Sequence, residues 1–82
     1  MYPTYNFKVA WCLVCAQGWV EIVREKETNN LFFLCEECET QWKTITDVLN
    51  NKNGIHDDTS IVTEPFLEEV ERMGWSGLIL KN

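Results

Sequence analysis

The sequence predicts a small α+β domain, and its length and two apolar periodicities support this fold class. The chain has 82 residues, of which 45% are hydrophobic and 24% charged, a composition typical of one folded unit and not of a disordered segment. Apolar residues recur at every second position near the start and at every third or fourth position in the second half. We therefore expect strands first, two helices later, and a single domain over residues 1–82.

The N-terminal segment is predicted to form a strand. Apolar side chains alternate with polar or small ones along residues 5–11. A period of two places alternate side chains on one face of a strand, so one face is expected to be buried. The apolar set consists of Tyr5, Phe7, Val9 and Trp11.

A β-hairpin is predicted between Trp19 and Leu34. Residues 19–23 form a mostly apolar run, and residues 31–34 form the returning strand. Between them, Asn29 and Asn30 suit a tight turn, because asparagine tolerates the left-handed backbone that such turns require.

The first helix is predicted over residues 39–50. One apolar face repeats at helical spacing, and the helix is expected to end in the polar turn residues 50–54. The apolar face consists of Trp42, Ile45, Val48 and Leu49.

The second helix is predicted over residues 64–73. Thr63 is a suitable N-cap residue, and Pro65 fits the first turn. Gly74 is expected to end the helix, with Trp75 folding back onto Val70. Residues 78–80 are expected to form a short closing strand. The apolar stripe of the helix consists of Phe66, Leu67, Val70 and Met73.

Two C-x2-C pairs, separated by 19 residues, have the spacing of a zinc site. Two thiolates on one tight turn can bind a single ion, and the predicted hairpin would bring the second pair beside the first. Four sulfur ligands in a tetrahedron suit Zn²⁺ and leave no open position, which is typical of a structural site. The predicted ligands are Cys12, Cys15, Cys35 and Cys38.

Other interpretations of the four cysteines stay open at this point. A thioredoxin-like redox motif normally lies within a βαβ pattern, which this sequence lacks. Two disulfides would need an oxidising compartment. A four-thiolate site can also hold iron, because its geometry does not exclude that metal.

We call each C-x2-C turn a knuckle. The chain resembles the zinc-ribbon or treble-clef class over about residues 11–50, in its two knuckles, the hairpin between them and the helix that follows. Treble clefs place the second cysteine pair at a helix start, which here would put Cys38 before the first helix. The chain differs from the commonest ribbon pattern, which has proline and glycine around the cysteines, in carrying Ala16, Glu36 and Glu37. Residues 35–42 also resemble small bacterial proteins, and some zinc-bearing proteins of this size look like immunity proteins paired with secreted toxins.

The charge balance disfavours nucleic acid as a direct partner. The formal net charge is −6, and four thiolates with one Zn²⁺ would make it about −8. The seven basic residues are scattered, and only Arg24 and Lys26 lie close together in the sequence. Phosphate binding needs clustered positive charge, so a protein partner is the stronger expectation.

The acidic residues predict a surface complementary to a basic protein, because opposite charge raises association rates and selects partners. An immunity protein that neutralises a nuclease toxin fits this pattern, and the alternative is a zinc-ribbon adaptor of the transcription or translation machinery. Among the tryptophans, Trp75 is the best candidate for partial exposure, while packing within the fold is the stronger expectation. The predicted partner-binding residues are Asp57, Asp58, Glu64, Glu68, Glu69, Glu71 and Trp75.

Catalysis is not expected, because the sequence provides no nucleophile with a base beside it. All four thiols are committed to metal, and His56, the single histidine, is expected to be an ordinary loop residue. Residues 1–6 show no signal-peptide pattern, and no apolar run approaches the ~20 residues that span a bilayer. A cytoplasmic location is therefore expected.

Overall fold

An antiparallel sheet with two short helices forms the fold in the computed structural model, which describes residues 7–56 and 61–80. The strand order is β1-β2-β3-β4, and β5 pairs with the far end of β2. This arrangement confirms the predicted α+β class. Among the residues described, no helix is long and apolar enough to cross a membrane. The elements are β1 Lys8–Trp11, β2 Trp19–Glu25, β3 Leu31–Cys35, β4 Gln41–Trp42, α1 Ile45–Asn50, β5 Val62–Thr63 and α2 Leu67–Arg72.

The predicted hairpin is confirmed as the centre of the sheet. Strands β2 and β3 pair from Val20 opposite Cys35 to Arg24 opposite Leu31. At the turn, Asn29 has the expected left-handed backbone, with φ 62°, and its N–H donates to the Glu25 carbonyl at 2.8 Å. Strand β2 has neighbours on both sides, and four consecutive side chains of it are buried, namely Val20, Glu21, Ile22 and Val23.

The N-terminal strand forms, but its alternating residues do not share one buried face. Val9 is buried, whereas Trp11 is 44% exposed. A register shift between Lys8 and Ala10 interrupts the pairing with β2, and such a bulge changes the faces on which later side chains lie. Tyr5 lies outside the described residues.

The first helix is shorter than predicted, beginning at Ile45 and not at residue 39. Glu39 has a left-handed backbone, with φ 61°, which turns the chain away from a helical path. The chain then forms β4, in which Trp42 pairs with Phe33 of β3. Trp42 is therefore in the core, as expected, but it reaches the core from a strand.

Helix α1 has well-defined ends. Thr44 caps its start by accepting a hydrogen bond from the Asp47 N–H at 3.1 Å. Asn51 ends it with φ 51°, within the polar run predicted for that purpose. With only six residues, the helix buries Val48, while Leu49 remains 59% exposed.

Helix α2 also starts later than predicted, at Leu67. Thr63 is not its N-cap, because Thr63 lies in β5 opposite Arg24. Phe66 takes the cap position, and its N–H donates to Glu69 Oε1 at 2.9 Å. Of the predicted apolar stripe, only Val70 is buried.

The end of α2 follows the prediction. Gly74 has φ 76°, and its N–H donates to the Glu71 carbonyl at 3.0 Å. The Trp75 N–H donates to the Val70 carbonyl at 3.0 Å, which completes a Schellman motif and returns Trp75 to the core. The expected strand at residues 78–80 is absent from the described chain, because a 3₁₀ turn occupies Ser76–Leu78.

The core brings the sheet and both helices together. Phe33 stacks on Trp75 with ring centroids 4.4 Å apart. The loop at Gly54 packs closely on the core, where a Cβ added to Gly54 would lie 2.7 Å from Thr40 Cγ2 and 3.0 Å from Trp42 Nε1. Both neighbouring side chains are buried, so a larger residue at position 54 has no free space.

Gly54→Ala is expected to lower the free energy of unfolding by about 1–3 kcal/mol, because overpacking forces buried side chains to move. Denaturant unfolding of the metal-loaded protein measures this loss. Gly77→Ala is the matched control, since no atom lies within 4 Å of a Cβ added there. Equal stabilities of the two variants would contradict the close packing at Gly54.

Candidate metal centre

The two cysteine knuckles have the same backbone geometry. Cys12 and Cys15 lie between β1 and β2. Cys35 is the last residue of β3, and Cys38 lies between β3 and β4. In the first knuckle the Ala16 N–H donates to the Cys12 carbonyl at 3.2 Å, and in the second the Glu39 N–H donates to the Cys35 carbonyl at 3.1 Å. Ala16 and Glu39 are both left-handed, with φ 53° and 61°. The chain thus forms the same closed turn twice, without the glycine that usually serves this conformation.

The four sulfur atoms lie close enough to share one metal ion. All of them are within 4.8 Å of one another. The Sγ atoms of Cys12 and Cys38 are 3.7 Å apart, and those of Cys15 and Cys35 are 3.6 Å apart. A tetrahedron with zinc–sulfur bonds of about 2.3 Å has sulfur–sulfur edges of about 3.8 Å. A disulfide needs about 2.05 Å, so the arrangement fits a metal centre and not a pair of bridges.

Backbone amides point at the sulfurs of the two fully buried cysteines. The Val14 N–H donates to Cys12 Sγ at 3.4 Å. The N–H groups of Glu37 and Cys38 both donate to Cys35 Sγ at 3.4 Å. Hydrogen bonds to the charged form favour it, so these amides help to stabilise thiolates in a buried position.

The metal-free thiols differ in their ionisation. Burial raises the pKa of both Cys12 and Cys35 above the ordinary thiol value. Burial also acts to raise the pKa of Cys38, but hydrogen bonds from the side chain and backbone of Thr40 outweigh it and lower that pKa to about 7. Metal binding must therefore displace protons from the buried thiols.

The donor set defines the kind of site. Four thiolates are soft ligands that suit Zn²⁺, and together they complete a tetrahedron with no position for water or substrate. The predicted ligands are all brought together, and the centre fits one structural zinc ion. Such an ion would join the two ends of the hairpin, because each knuckle adjoins a different strand.

A hydrogen bond also links the start of β2 to the second knuckle. The N–H of Trp19, the first residue of β2, donates to Glu36 Oε1 at 3.3 Å. Trp19 in turn packs edge-to-face on Trp11, with ring centroids 4.9 Å apart. The indole pair and the carboxylate therefore help to hold the knuckles in place.

Sequence reasoning missed two residues beside the centre. Thr40 Oγ1 lies 3.2 Å from Cys38 Sγ, and His56 Nε2 lies 2.9 Å from Thr40 Oγ1. The position of Thr40 two residues after a ligand is a weak signal for such a contact. No pattern in the sequence indicates His56, because the pairing of Gln41 with Ile55 brings it there.

The predicted partner-binding residues fall into three groups. Glu64, Glu68 and Glu71 are exposed around α2. Glu69 forms an ion pair with Arg24 at 3.0 Å, and Trp75 is half-buried against the core. The other two, Asp57 and Asp58, lie outside the described residues. Partner binding by this set stays a prediction.

Comparisons with protein-family models, with curated proteins and with solved structures each find no match to this chain. The class therefore follows from the fold and the site alone. The protein is a small α+β domain with a zinc-ribbon-like sheet and a four-cysteine metal centre. The treble-clef variant would require a helix directly after Cys38, where the structure has β4.

Proposed function

We propose that this protein is a non-enzymatic, zinc-stabilised domain that binds a basic protein, and more specifically an immunity protein that neutralises a nuclease toxin. The observation that carries the proposal is the exposure of three large apolar side chains, together with two carboxylates, on and beside α2. The closed metal centre supports a structural role for zinc, which leaves the rest of the surface for recognition.

The α2 surface, as we name it, consists of Phe66, Leu67, Met73, Glu68 and Glu71. Its three apolar side chains are 67%, 51% and 49% exposed, respectively. Protein interfaces combine an apolar centre with a polar rim and are enriched in aromatic residues and methionine. A six-residue helix that buries only Val70 presents such a surface to a partner.

Contacts beneath the α2 surface hold its first turn in place. The Arg24 guanidinium lies 5.4 Å from the Phe66 ring centroid and pairs with Glu69 at 3.0 Å. Its Nε also donates to Thr63 Oγ1 at 3.2 Å. A surface that is already ordered loses less entropy on binding, which supports tight association.

A groove beside the α2 surface offers space for a partner side chain. It has a volume of about 780 Å³. The residues that line it include Arg72, Met73, Leu31, Phe32 and Trp42. Interface hot spots commonly place an aromatic or arginine anchor in such a depression.

Charge favours a basic partner. The formal charge of −6 becomes about −8 with zinc bound, and Glu68 and Glu71 add to it directly at the α2 surface. Nucleases bind an anionic substrate and therefore carry positive charge near their active sites. An acidic inhibitor is attracted to that surface before contact, which raises the association rate.

The experiment measures binding between the zinc-loaded chain and the protein encoded by the neighbouring gene, together with protection of cells that express that neighbour. We expect Leu67→Asp to weaken binding by about 30-fold or more, the size of a hot-spot effect. Leu49→Asp is the matched control, because Leu49 is also on a helix and is 59% exposed.

Three outcomes would contradict the proposal. The neighbouring protein fails to bind, deletion of this chain never sensitises cells to that neighbour, or Leu49→Asp weakens binding as much as Leu67→Asp. Retention on heparin at about 0.15 M salt would instead favour the adaptor of the transcription or translation machinery, because phosphate contacts depend strongly on salt.

A further inference from the structure

A hydrogen-bonded path leads from one cysteine of the metal centre to an exposed histidine. Thr40 Oγ1 lies 3.2 Å from Cys38 Sγ and 2.9 Å from His56 Nε2. Thr40 is only 3% exposed, whereas His56 is exposed. The path therefore connects the edge of the metal centre to the protein surface.

Backbone hydrogen bonds fix the positions of Thr40 and His56. The Cys35 N–H donates to the Thr40 carbonyl at 3.0 Å. The next residue, Gln41, exchanges two hydrogen bonds with Ile55, at 2.8 and 3.0 Å. Since Thr40 precedes Gln41 and His56 follows Ile55, this pairing places the imidazole beside the hydroxyl.

A zinc-bound Cys38 fixes the direction of both hydrogen bonds. A zinc-bound thiolate can only accept, so the single hydroxyl proton of Thr40 must point at the sulfur. Thr40 Oγ1 then accepts from His56, which must carry a proton on Nε2.

We propose that Thr40 and His56 form a hydrogen-bond relay that stabilises Cys38 as a zinc ligand and holds the exposed imidazole in its Nε2–H tautomer. Both are positioning residues, since neither reaches the metal as a ligand. The carboxylate or carbonyl that commonly orients a ligand from outside a zinc site is replaced here by a hydroxyl and an imidazole. The relay depends on the zinc centre alone and holds whether or not the α2 surface binds a toxin.

The first test compares zinc affinities by competition with a chromophoric chelator. Thr40→Val keeps the branched shape but removes the hydroxyl, and we expect it to weaken zinc binding by about 10–100-fold. Thr40→Ser restores the hydroxyl and should bind within a few-fold of the original chain. Thr46→Val, on the exposed side of α1, is the matched control and should leave the affinity unchanged.

Circular dichroism at saturating zinc verifies that Thr40→Val is folded. If that folded variant binds zinc as tightly as Thr46→Val, the relay does not stabilise Cys38 and the proposal fails. Equal losses in Thr40→Ser and Thr40→Val would also overturn it, because the hydroxyl would then not be the active group.

The second test observes the tautomer directly by long-range ¹⁵N–¹H NMR of the imidazole, recorded at a pH at which the nitrogen shifts show a neutral ring. The chain has one histidine, so the signals need no assignment. We expect a single Nε2–H tautomer in the zinc-loaded protein and a mixture of both tautomers in zinc-loaded Thr40→Val. The same mixture in both proteins would show that His56 does not donate to Thr40, and would overturn the relay.

Discussion

Cys35→Ser is expected to abolish cooperative thermal unfolding, because the chain loses the metal that holds its knuckles together. Zinc binding supplies apparent free energies of about 10–16 kcal/mol in small zinc domains, while whole domains are stable by only about 5–15 kcal/mol. Cys35 is fully buried, receives two amide hydrogen bonds and ends the central hairpin. Cys12→Ser should have the same effect from the other knuckle.

Calorimetry and near-ultraviolet circular dichroism measure the loss. The control is the original chain with a strong chelator, which should lose the cooperative transition in the same way and regain it when zinc is restored. Cys35→Ser should not recover with zinc. A variant that still melts cooperatively would show that the sheet is stable without the metal and that the centre is not structural.

Metal analysis of the same samples separates zinc from iron. Oxidised iron–thiolate centres absorb visible light, whereas zinc has a filled d shell and is colourless. We expect one zinc per chain and no visible band, since four thiolates within 4.8 Å of one another are the donor set of a closed structural zinc site. A coloured protein with one iron per chain would replace the zinc assignment and leave the ligand set unchanged.

The metal ligands and the hairpin were predictable because both depend on local chemistry. A C-x2-C pair forms its turn within five residues, and each knuckle closes by a hydrogen bond from the fourth residue after its first cysteine. The hairpin turn likewise depends on Asn29, whose left-handed backbone needs no distant contact. In both cases the interactions that determine the local structure join residues that are close in the sequence.

The start of the first helix was not predictable from spacing. Trp42, Ile45 and Val48 lie at helical intervals, but Trp42 pairs with Phe33 in the sheet. The left-handed Glu39 that closes the second knuckle turns the chain into this pairing, so the helix begins only after β4. Tertiary context therefore overrides a periodicity that by itself indicates a helix.

The α2 surface shows that an apolar periodicity does not by itself predict burial. Periodicity predicted Phe66, Leu67 and Met73 as part of one apolar stripe with Val70, yet all three are about half exposed or more. The helix has under two turns, and Val70 is its one buried residue. An apolar stripe shows which face of a helix is hydrophobic, but it does not distinguish packing within the chain from packing against a partner.

Zinc affinity is expected to rise by at least about 100-fold for each unit of pH near neutrality, because zinc competes with protons for the buried thiols. In the metal-free chain, burial raises the pKa of Cys12 and Cys35, so both remain protonated through this range. Each must lose its proton when zinc binds, and two released protons give a factor of about 10² per unit. Stability contributed by zinc is therefore present at higher pH and lost as the pH falls.

The dependence should become steeper below a pH of about 7. Hydrogen bonds from Thr40 lower the pKa of Cys38 to about 7 against the opposing effect of burial, so above that pH its thiolate is already formed. Below it, a third proton competes with zinc and adds about another factor of ten per unit. Chelator competition over about pH 6–8, corrected for protonation of the chelator, measures both slopes. Thr40→Val should move the pH at which the slope changes to a higher value, while Thr46→Val leaves it in place. If the logarithm of the zinc affinity rises by one or less per pH unit over the whole range, proton release from the two buried cysteines is contradicted.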